Sequence, residues 1–224
     1  MFLNHPFGQW GSTFWPSPQS TWIWPPLKAI DREPYQVSTI NNSIYLKSQI
    51  DTKTKLSVSK TIQASENDTS FYITYTIINK DTVTQQYAPW EITRVPPSGM
   101  SFFANSQEQN KIEWINLNEP CDKQSKVFYD GSGWQAYLNK NILFIKTYDN
   151  IAPEEAAPKE SEFQLYREKS LYVEIENQGK YEQITAGDSI SWQVKWIVRK
   201  LPVNIKPEID NPELVSYVKG FVQK

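Results

Sequence analysis

The feature that most constrains the fold of this 224-residue chain is an alternation of apolar and polar residues with a period of two. This pattern is typical of β-strands with one buried face. It predicts strands over residues 44–50, 56–63, 71–78, 134–138, 142–148, 171–176 and 190–198. In the last of these, five apolar residues fall on one side of the extended chain: Ile190, Trp192, Val194, Trp196 and Val198.

Turn-forming residues separate these segments, as in 79–81, 130–133 and 186–188. Short strands at such spacing predict an all-β sandwich of antiparallel sheets. A C-terminal helix over 212–223 is the exception, because Asn211 is a good N-cap, Pro212 suits the first helical position and Glu213 suits the first turn. Because no repeat or linker interrupts the pattern, we predict a single domain over residues 1–224.

Composition excludes several classes of function. The net charge of −2 and a pI near 5.6 give no electrostatic basis for binding nucleic acid or an anionic membrane, and no apolar run reaches the roughly 18 residues that span a bilayer. The single Cys121 and single His5 exclude an intramolecular disulfide and clusters of Cys or His around a metal. The N-terminus has no secretory signal pattern, which indicates the cytoplasm or, if the N-terminus was trimmed, the periplasm or exterior.

Residues 11–26, GSTFWPSPQSTWIWPP, combine aromatic rings with prolines that disfavour a helix or an inner strand. In one interpretation this segment is an ordered loop whose rings cover the end of the sandwich. In the other, the rings line a cleft and stack on the C–H faces of a sugar. The candidate ligand-binding residues are then the rings Trp15, Trp22 and Trp24 and the polar groups Gln19, Asp31 and Tyr35.

Two further segments carry candidate polar groups. In 87–99, Glu91 and Arg94 point to opposite faces of an extended chain; we expect Arg94 to face the site, although a surface ion pair is the alternative. In 171–179, Glu174 and Glu176 share a face, roughly 7 Å apart along the backbone. A closed face would raise their pKa values toward those of a general base, whereas a solvated face would not.

An acidic loop over 153–162 offers oxygen ligands of the kind that Ca²⁺ prefers. A solvated run of charges is the more common structure for such a stretch. We therefore predict a solvated loop here, with no metal and no cofactor.

Three segments in this order resemble a bacterial branch of the galactose mutarotase-like superfamily related to the aldose 1-epimerases: GSTFWPSPQSTWIWPP with ID and PY after it, APWEITRV, and YVEIENQGKYEQITAGDSISWQVKW. The resemblance covers about residues 8–200. It implies an antiparallel supersandwich with a carbohydrate cleft on its concave sheet. It also implies that a Glu just before a Gly-containing turn is the general base; Glu174 matches best and Glu176 second.

The chain departs from the family pattern in two ways. The family's acid is a mid-chain His, and no His lies near APWEITRV, so Tyr87, Glu91 or Arg94 would have to replace it. The resemblance also implies strands before the Trp/Pro motif, which this chain would lack. We predict a carbohydrate-interacting domain; catalysis would be anomeric interconversion with Glu174 as base and Arg94 polarising the ring oxygen. The alternatives are a non-catalytic structural or protein-interaction domain and an accessory domain of a glycan-cleaving enzyme.

Overall fold

Two antiparallel β-sheets face each other in the computed structural model, which describes residues 11–109 and 111–222. The smaller sheet has six strands: β1 (Ser12–Ser17), β6 (Gln85–Val95), β9 (Ser125–Tyr129), β12 (Phe163–Glu168), β13 (Tyr172–Gln178) and β14 (Glu182–Ile184). Their order is β1-β6-β13-β12-β9, and β14 pairs with the beginning of β6.

The larger sheet has nine strands: β2 (Gln36–Ile40), β3 (Ser43–Lys47), β4 (Leu56–Ala64), β5 (Ser70–Asn79), β7 (Met100–Asn105), β8 (Lys111–Asn116), β10 (Trp134–Asn139), β11 (Ile142–Tyr148) and β15 (Ser189–Lys200). Their order is β2-β3-β4-β5-β15-β11-β10-β7-β8. The described helices are α1 (Lys28–Asp31), α2 (Pro212–Val222) and short 3-10 turns at Gln19–Thr21, Ser106–Glu108 and Pro153–Glu155. The predicted all-β antiparallel sandwich is confirmed.

The Trp/Pro segment is only partly a loop, which corrects one of the two interpretations above. Ser12–Ser17 forms β1 at the edge of the six-stranded sheet, where Pro16 lies opposite Pro89 of β6. An edge strand tolerates proline because its outer N–H groups need no partner in the sheet. Residues after Ser17 leave the sheet and fold over its edge into the 3-10 turn and α1.

The core has one part between the sheets and another beneath α2. Trp192 and Val194 of β15 are buried with Phe14 and Tyr75 between the sheets. Ile197 packs instead in the cluster that contains Leu214 of α2. Val198 is 47% exposed, so the predicted burial of this fifth apolar residue is wrong: near the end of β15, the covered face of the sheet is the one that α2 occupies.

Helix α2 begins as the sequence predicts. Pro212 is its first residue, and Oδ1 of Asn211 accepts a hydrogen bond of 2.9 Å from the backbone N–H of Glu213. No helix in the described residues is long and apolar enough to cross a membrane.

Candidate functional site

A cleft of about 400 Å³ opens on the face of the six-stranded sheet that points away from the larger sheet. Strand alternation creates this face, because Arg94 of β6 lies directly opposite Glu174 of β13, and Tyr166 of β12 lies opposite Glu174 on its other side. The intervening residues Val173 and Ile175 point inward and are buried. The pleat of β6, β13 and β12 therefore turns alternate side chains toward this face, and Arg94, Glu174 and Tyr166 are among those that line the cleft.

Two ion pairs lie side by side on the cleft floor. Nε of Arg94 is 2.7 Å from Oε1 of Glu174, and their side chains are 12% and 11% exposed. Nζ of Lys126 is 2.9 Å from Oε2 of Glu176, which also accepts a 2.8 Å hydrogen bond from Nε1 of Trp90. The cleft thus holds charged donors and acceptors in fixed positions.

Aromatic rings surround these pairs. The Arg94 guanidinium lies 4.2 Å from the centre of the Tyr172 ring, and Nζ of Lys126 lies 4.7 Å from that of Trp90. Trp15 packs edge-on against Trp90 at 5.3 Å and against Trp24 at 6.2 Å between ring centres. Trp24 is 58% exposed and lines the cleft, so its ring is available to a ligand.

Burial shifts the pKa of both floor carboxyls upward. Desolvation raises the pKa of Glu176 to about 7; the Lys126 ammonium opposes this shift and the Glu174 carboxylate adds to it. Desolvation also raises the pKa of Glu174, against the opposing charge of Arg94. Of the two alternatives for this face, closed and solvated, the structure has the closed one, since Glu176 is 1% exposed and Glu174 is also buried.

The structure sorts the predicted site residues into three groups. Six of them line the cleft: Trp15, Gln19, Trp24, Arg94, Glu174 and Glu176. Asp31 and Tyr35 line a neighbouring hollow. Trp22 and Glu91 line neither. Trp22 is buried and donates from Nε1 to the carbonyl of Pro16, whereas Glu91 points between the sheets, opposite in direction to Arg94, as the extended pattern predicts.

Several cleft residues were not predicted from the sequence. Lys126 comes from β9, and Tyr166 and Glu168 come from β12; the hydroxyl of Tyr166 donates to Glu168. The alternation in FQLYRE, residues 163–168, is a signal that could have found Tyr166. No local pattern joins Lys126 to Glu176, which is 50 residues away in the chain.

The neighbouring hollow has a volume of about 230 Å³ and lies next to the cleft, since Trp15 and Arg94 line both. Oδ1 of Asp31 accepts hydrogen bonds from Nε1 of Trp15 at 2.9 Å and from the hydroxyl of Thr13 at 3.3 Å. Nζ of Lys60 lies 5.3 Å from the centre of the Tyr35 ring. Burial lowers the pKa of Lys60 to about 8, against the opposing charges of Glu91 and Asp31.

The acidic loop departs from the predicted solvated run of charges at its last residue; Glu154 is exposed, and Glu155 and Glu160 are half-buried. Glu162 is 1% exposed and accepts 2.9 Å hydrogen bonds from the backbone N–H groups of Gly133 and Ile151. Burial raises the pKa of Glu162 to about 7. Within residues 11–109 and 111–222, no group of three or more His, Cys, Asp or Glu side chains is arranged to hold a metal. His5 lies outside the described residues.

No family model matches the sequence, and neither does any curated protein. Solved structures do match. The Slr1438 protein from Synechocystis sp. PCC 6803 is 11% identical with a TM-score of 0.52, covering 75% of this chain and 66% of that one. A candidate aldose 1-epimerase from Escherichia coli K12 is 12% identical with a TM-score of 0.50, covering 75% and 69%.

A candidate aldose 1-epimerase from Klebsiella pneumoniae gives 11% identity and a TM-score of 0.50, covering 84% of this chain and 57% of that one. The chain thus spans between 57% and 69% of the length of these three structures. Similarity at this level of identity concerns the fold. Together with the two antiparallel sheets, it confirms that this chain has the galactose mutarotase-like fold of the aldose 1-epimerase structures.

Proposed function

We propose that the cleft of the six-stranded sheet binds a carbohydrate. The observation that carries this proposal is the exposed ring of Trp24 beside the Arg94–Glu174 and Lys126–Glu176 ion pairs. An indole gives a flat apolar surface for the C–H face of a sugar ring, and fixed ionic groups bond its hydroxyls strongly. The structural similarity to two candidate aldose 1-epimerases supports the same ligand class.

The balance of charge in the cleft favours a neutral sugar. The cations Arg94 and Lys126 are each paired with a carboxylate, and Glu168 adds a further acidic group. A negatively charged ligand would have to compete with these carboxylates for both cations. A hydroxyl group, in contrast, can donate to a carboxylate and accept from a cation at the same time.

We further propose that a bound aldose undergoes anomeric interconversion here, with Glu174 as the general base. Glu174 retains more exposure to the cleft than Glu176, and its raised pKa makes it a better proton acceptor than an ordinary carboxylate. The base takes the proton of the anomeric hydroxyl while the ring C–O bond breaks, and the ring oxygen takes up a proton. Arg94 polarises that oxygen, and Lys126 is our candidate donor, since a guanidinium keeps its proton.

A second candidate function is docking of a protein partner. It is supported by the adjacent residues Ile23 and Trp24, which are 67% and 58% exposed. A contiguous apolar surface is typical of an interaction site, and these two side chains would contribute to one. The same Trp24 ring serves both candidates, so a direct sugar-binding measurement is needed to distinguish them.

Titration with monosaccharides, followed by intrinsic tryptophan fluorescence, tests the proposal, because Trp15, Trp24 and Trp90 all line the cleft. D-galactose, D-glucose and D-mannose are suitable probes. We expect a saturable change for at least one sugar, weakened in Arg94→Met and retained in the control Glu66→Gln, whose side chain is exposed and outside the cleft. No response from a folded sample would favour the docking function.

Exchange NMR between the two anomers of the bound sugar tests the catalytic step. We expect Glu174→Gln to lower the exchange rate at least a hundredfold while the sugar still binds, since general-base catalysis contributes at least that factor. If the wild-type protein binds the sugar but its anomers exchange no faster than in buffer, the protein binds carbohydrate without catalysing the interconversion.

A further inference from the structure

The hollow beside the cleft has the chemistry of a second sugar subsite. It lies on the other side of Trp15, whose indole lines both spaces and whose N–H is fixed on Asp31 at 2.9 Å. Arg94 also lines both. The two spaces are therefore neighbours that share one aromatic ring and one guanidinium, as two subsites for linked sugar rings would.

Lys60 provides a donor whose hydrogen-bonding capacity is unused among the described residues. The structure gives Nζ of Lys60 no hydrogen bond or ion pair within residues 11–109 and 111–222; its contact is the face of the Tyr35 ring. The Lys60 side chain is half-buried, and a ligand oxygen at this position would accept a charge-assisted hydrogen bond from its ammonium. Asp31 lines the same hollow; its Oδ1 accepts from Trp15 and Thr13 and its Oδ2 lies 3.6 Å from Nε of Arg32, and a carboxylate has lone pairs for a further donor.

An ammonium and a carboxylate together suit a hydroxyl group better than an anion. The hydroxyl accepts from Lys60 and donates to Asp31, whereas an anionic group would be repelled by Asp31. Ile30 and Tyr35 supply apolar walls for the remainder of a sugar ring. The hollow, at about 230 Å³ against 400 Å³ for the cleft, is the smaller of the two spaces.

We infer that the ligand is an oligosaccharide of at least two neutral sugar units, one in the cleft and the next in the hollow, where Lys60 and Asp31 bind its hydroxyl groups. This inference rests on the proposed carbohydrate function of the cleft. It assigns the ligand's length and its second binding site, which a monosaccharide would leave unoccupied.

Calorimetric titration of matched sugars tests the inference: D-galactose, D-glucose and D-mannose against lactose, maltose and α-1,2-mannobiose. We expect at least one disaccharide to bind at least tenfold more tightly than its component monosaccharides. In Lys60→Met, which keeps most of the apolar stem, this advantage disappears while monosaccharide affinity stays within twofold. The control Lys80→Met, at an exposed lysine outside both spaces, retains it.

Chemical labelling of the wild-type protein gives a second measurement that needs no variant. Reductive methylation of Lys60, followed by peptide mass spectrometry, should slow at least fivefold with a bound disaccharide and remain unchanged with a bound monosaccharide. If disaccharides bind no more tightly than monosaccharides, or if Lys60 is methylated at the same rate with either sugar bound, the inference of a second subsite is wrong. The proposal that the cleft binds a sugar is then unaffected. If no sugar of either length binds, the carbohydrate function itself is wrong.

Discussion

Nζ of Lys146 lies 2.5 Å from Oε2 of Glu91, and neither side chain has any exposure to solvent. The pair joins the two sheets, since Glu91 belongs to β6 and Lys146 to β11. Lys146 also donates to the carbonyl of Ile175 at 3.0 Å, and the other oxygen of Glu91 accepts from the hydroxyls of Ser12 and Thr93. Burial lowers the pKa of Lys146, and the charge of Glu91 opposes that shift. The two charges are therefore compensated by one another and by fixed hydrogen bonds.

Removal of one partner of this pair should be strongly destabilising. We expect Glu91→Leu or Lys146→Met alone to lower the free energy of unfolding by about 3–5 kcal/mol, because a single buried charge remains. The double variant should lose much less than the sum of the two. Urea denaturation measures all three, and the exposed pair Glu108–Lys111 is the control whose removal should leave the midpoint unchanged. Additive losses would show that the two charges do not stabilise each other.

Substitutions of Trp22 and Trp24 should have different effects, the first on the stability of the fold and the second on sugar binding. Trp22 is 3% exposed, so we expect Trp22→Ala to lower the free energy of unfolding by about 3–5 kcal/mol. Trp24 is 58% exposed, and Trp24→Ala should change stability by less than about 1 kcal/mol while weakening sugar binding at least tenfold. Thermal denaturation and sugar titration of both variants check this. If Trp24→Ala binds sugar normally, the Trp24 ring does not contribute to the binding site.

Backbone strain next to Trp24 gives a third prediction. Ile23 has a φ of 60°, a left-handed conformation that is unfavourable for a β-branched residue, and its side chain is 67% exposed. We expect Ile23→Gly to raise the free energy of unfolding by about 1 kcal/mol, because glycine adopts this φ without strain. The control is Ile40→Gly in strand β2, exposed to a similar degree, which should be destabilising. Equal losses in the two variants would show that Ile23 is unstrained.

The carboxyl of Glu176 should make stability depend on pH. Its pKa is raised from 4.5 to about 7 by burial, so the folded protein binds this proton more tightly than the unfolded chain does. The resulting stabilisation is fully present below pH 4.5 and is lost as the pH rises through 7. Relative to Glu176→Gln, the wild-type free energy of unfolding should therefore fall over this range, by at most about 3 kcal/mol.

Denaturant unfolding of both proteins at several pH values measures this difference. Glu162 has a similarly raised pKa, but it is present in both proteins, so its contribution to the pH dependence of stability cancels in the comparison. A constant difference from pH 4.5 to 7.5 would mean that folding does not raise the pKa of Glu176, because Lys126 and Trp90 stabilise its ionised form.

The fold class and the direction of many side chains follow from the amino-acid sequence alone. Strands such as Ile142–Tyr148 have the predicted bounds, because alternation with a period of two follows from the pleat of any strand. The same rule placed Arg94 opposite in direction to Glu91, and Glu174 beside Glu176. In one of the two interpretations of the Trp/Pro motif its rings line a cleft; Trp15 and Trp24 do line one, whereas Trp22 is buried.

Only the tertiary structure decided which neighbours these side chains have. Glu91 meets Lys146 from 55 residues away, and Glu176 meets Lys126 from 50 residues away, through strand and sheet contacts that no local pattern specifies. Trp22 and Trp24 are two positions apart, yet one is buried and the other exposed: Trp22 donates to the carbonyl of Pro16, and the backbone between the two rings has a left-handed φ at Ile23. Alternation fixes the face of a strand, but whether that face is core, cleft or solvent depends on what packs against it.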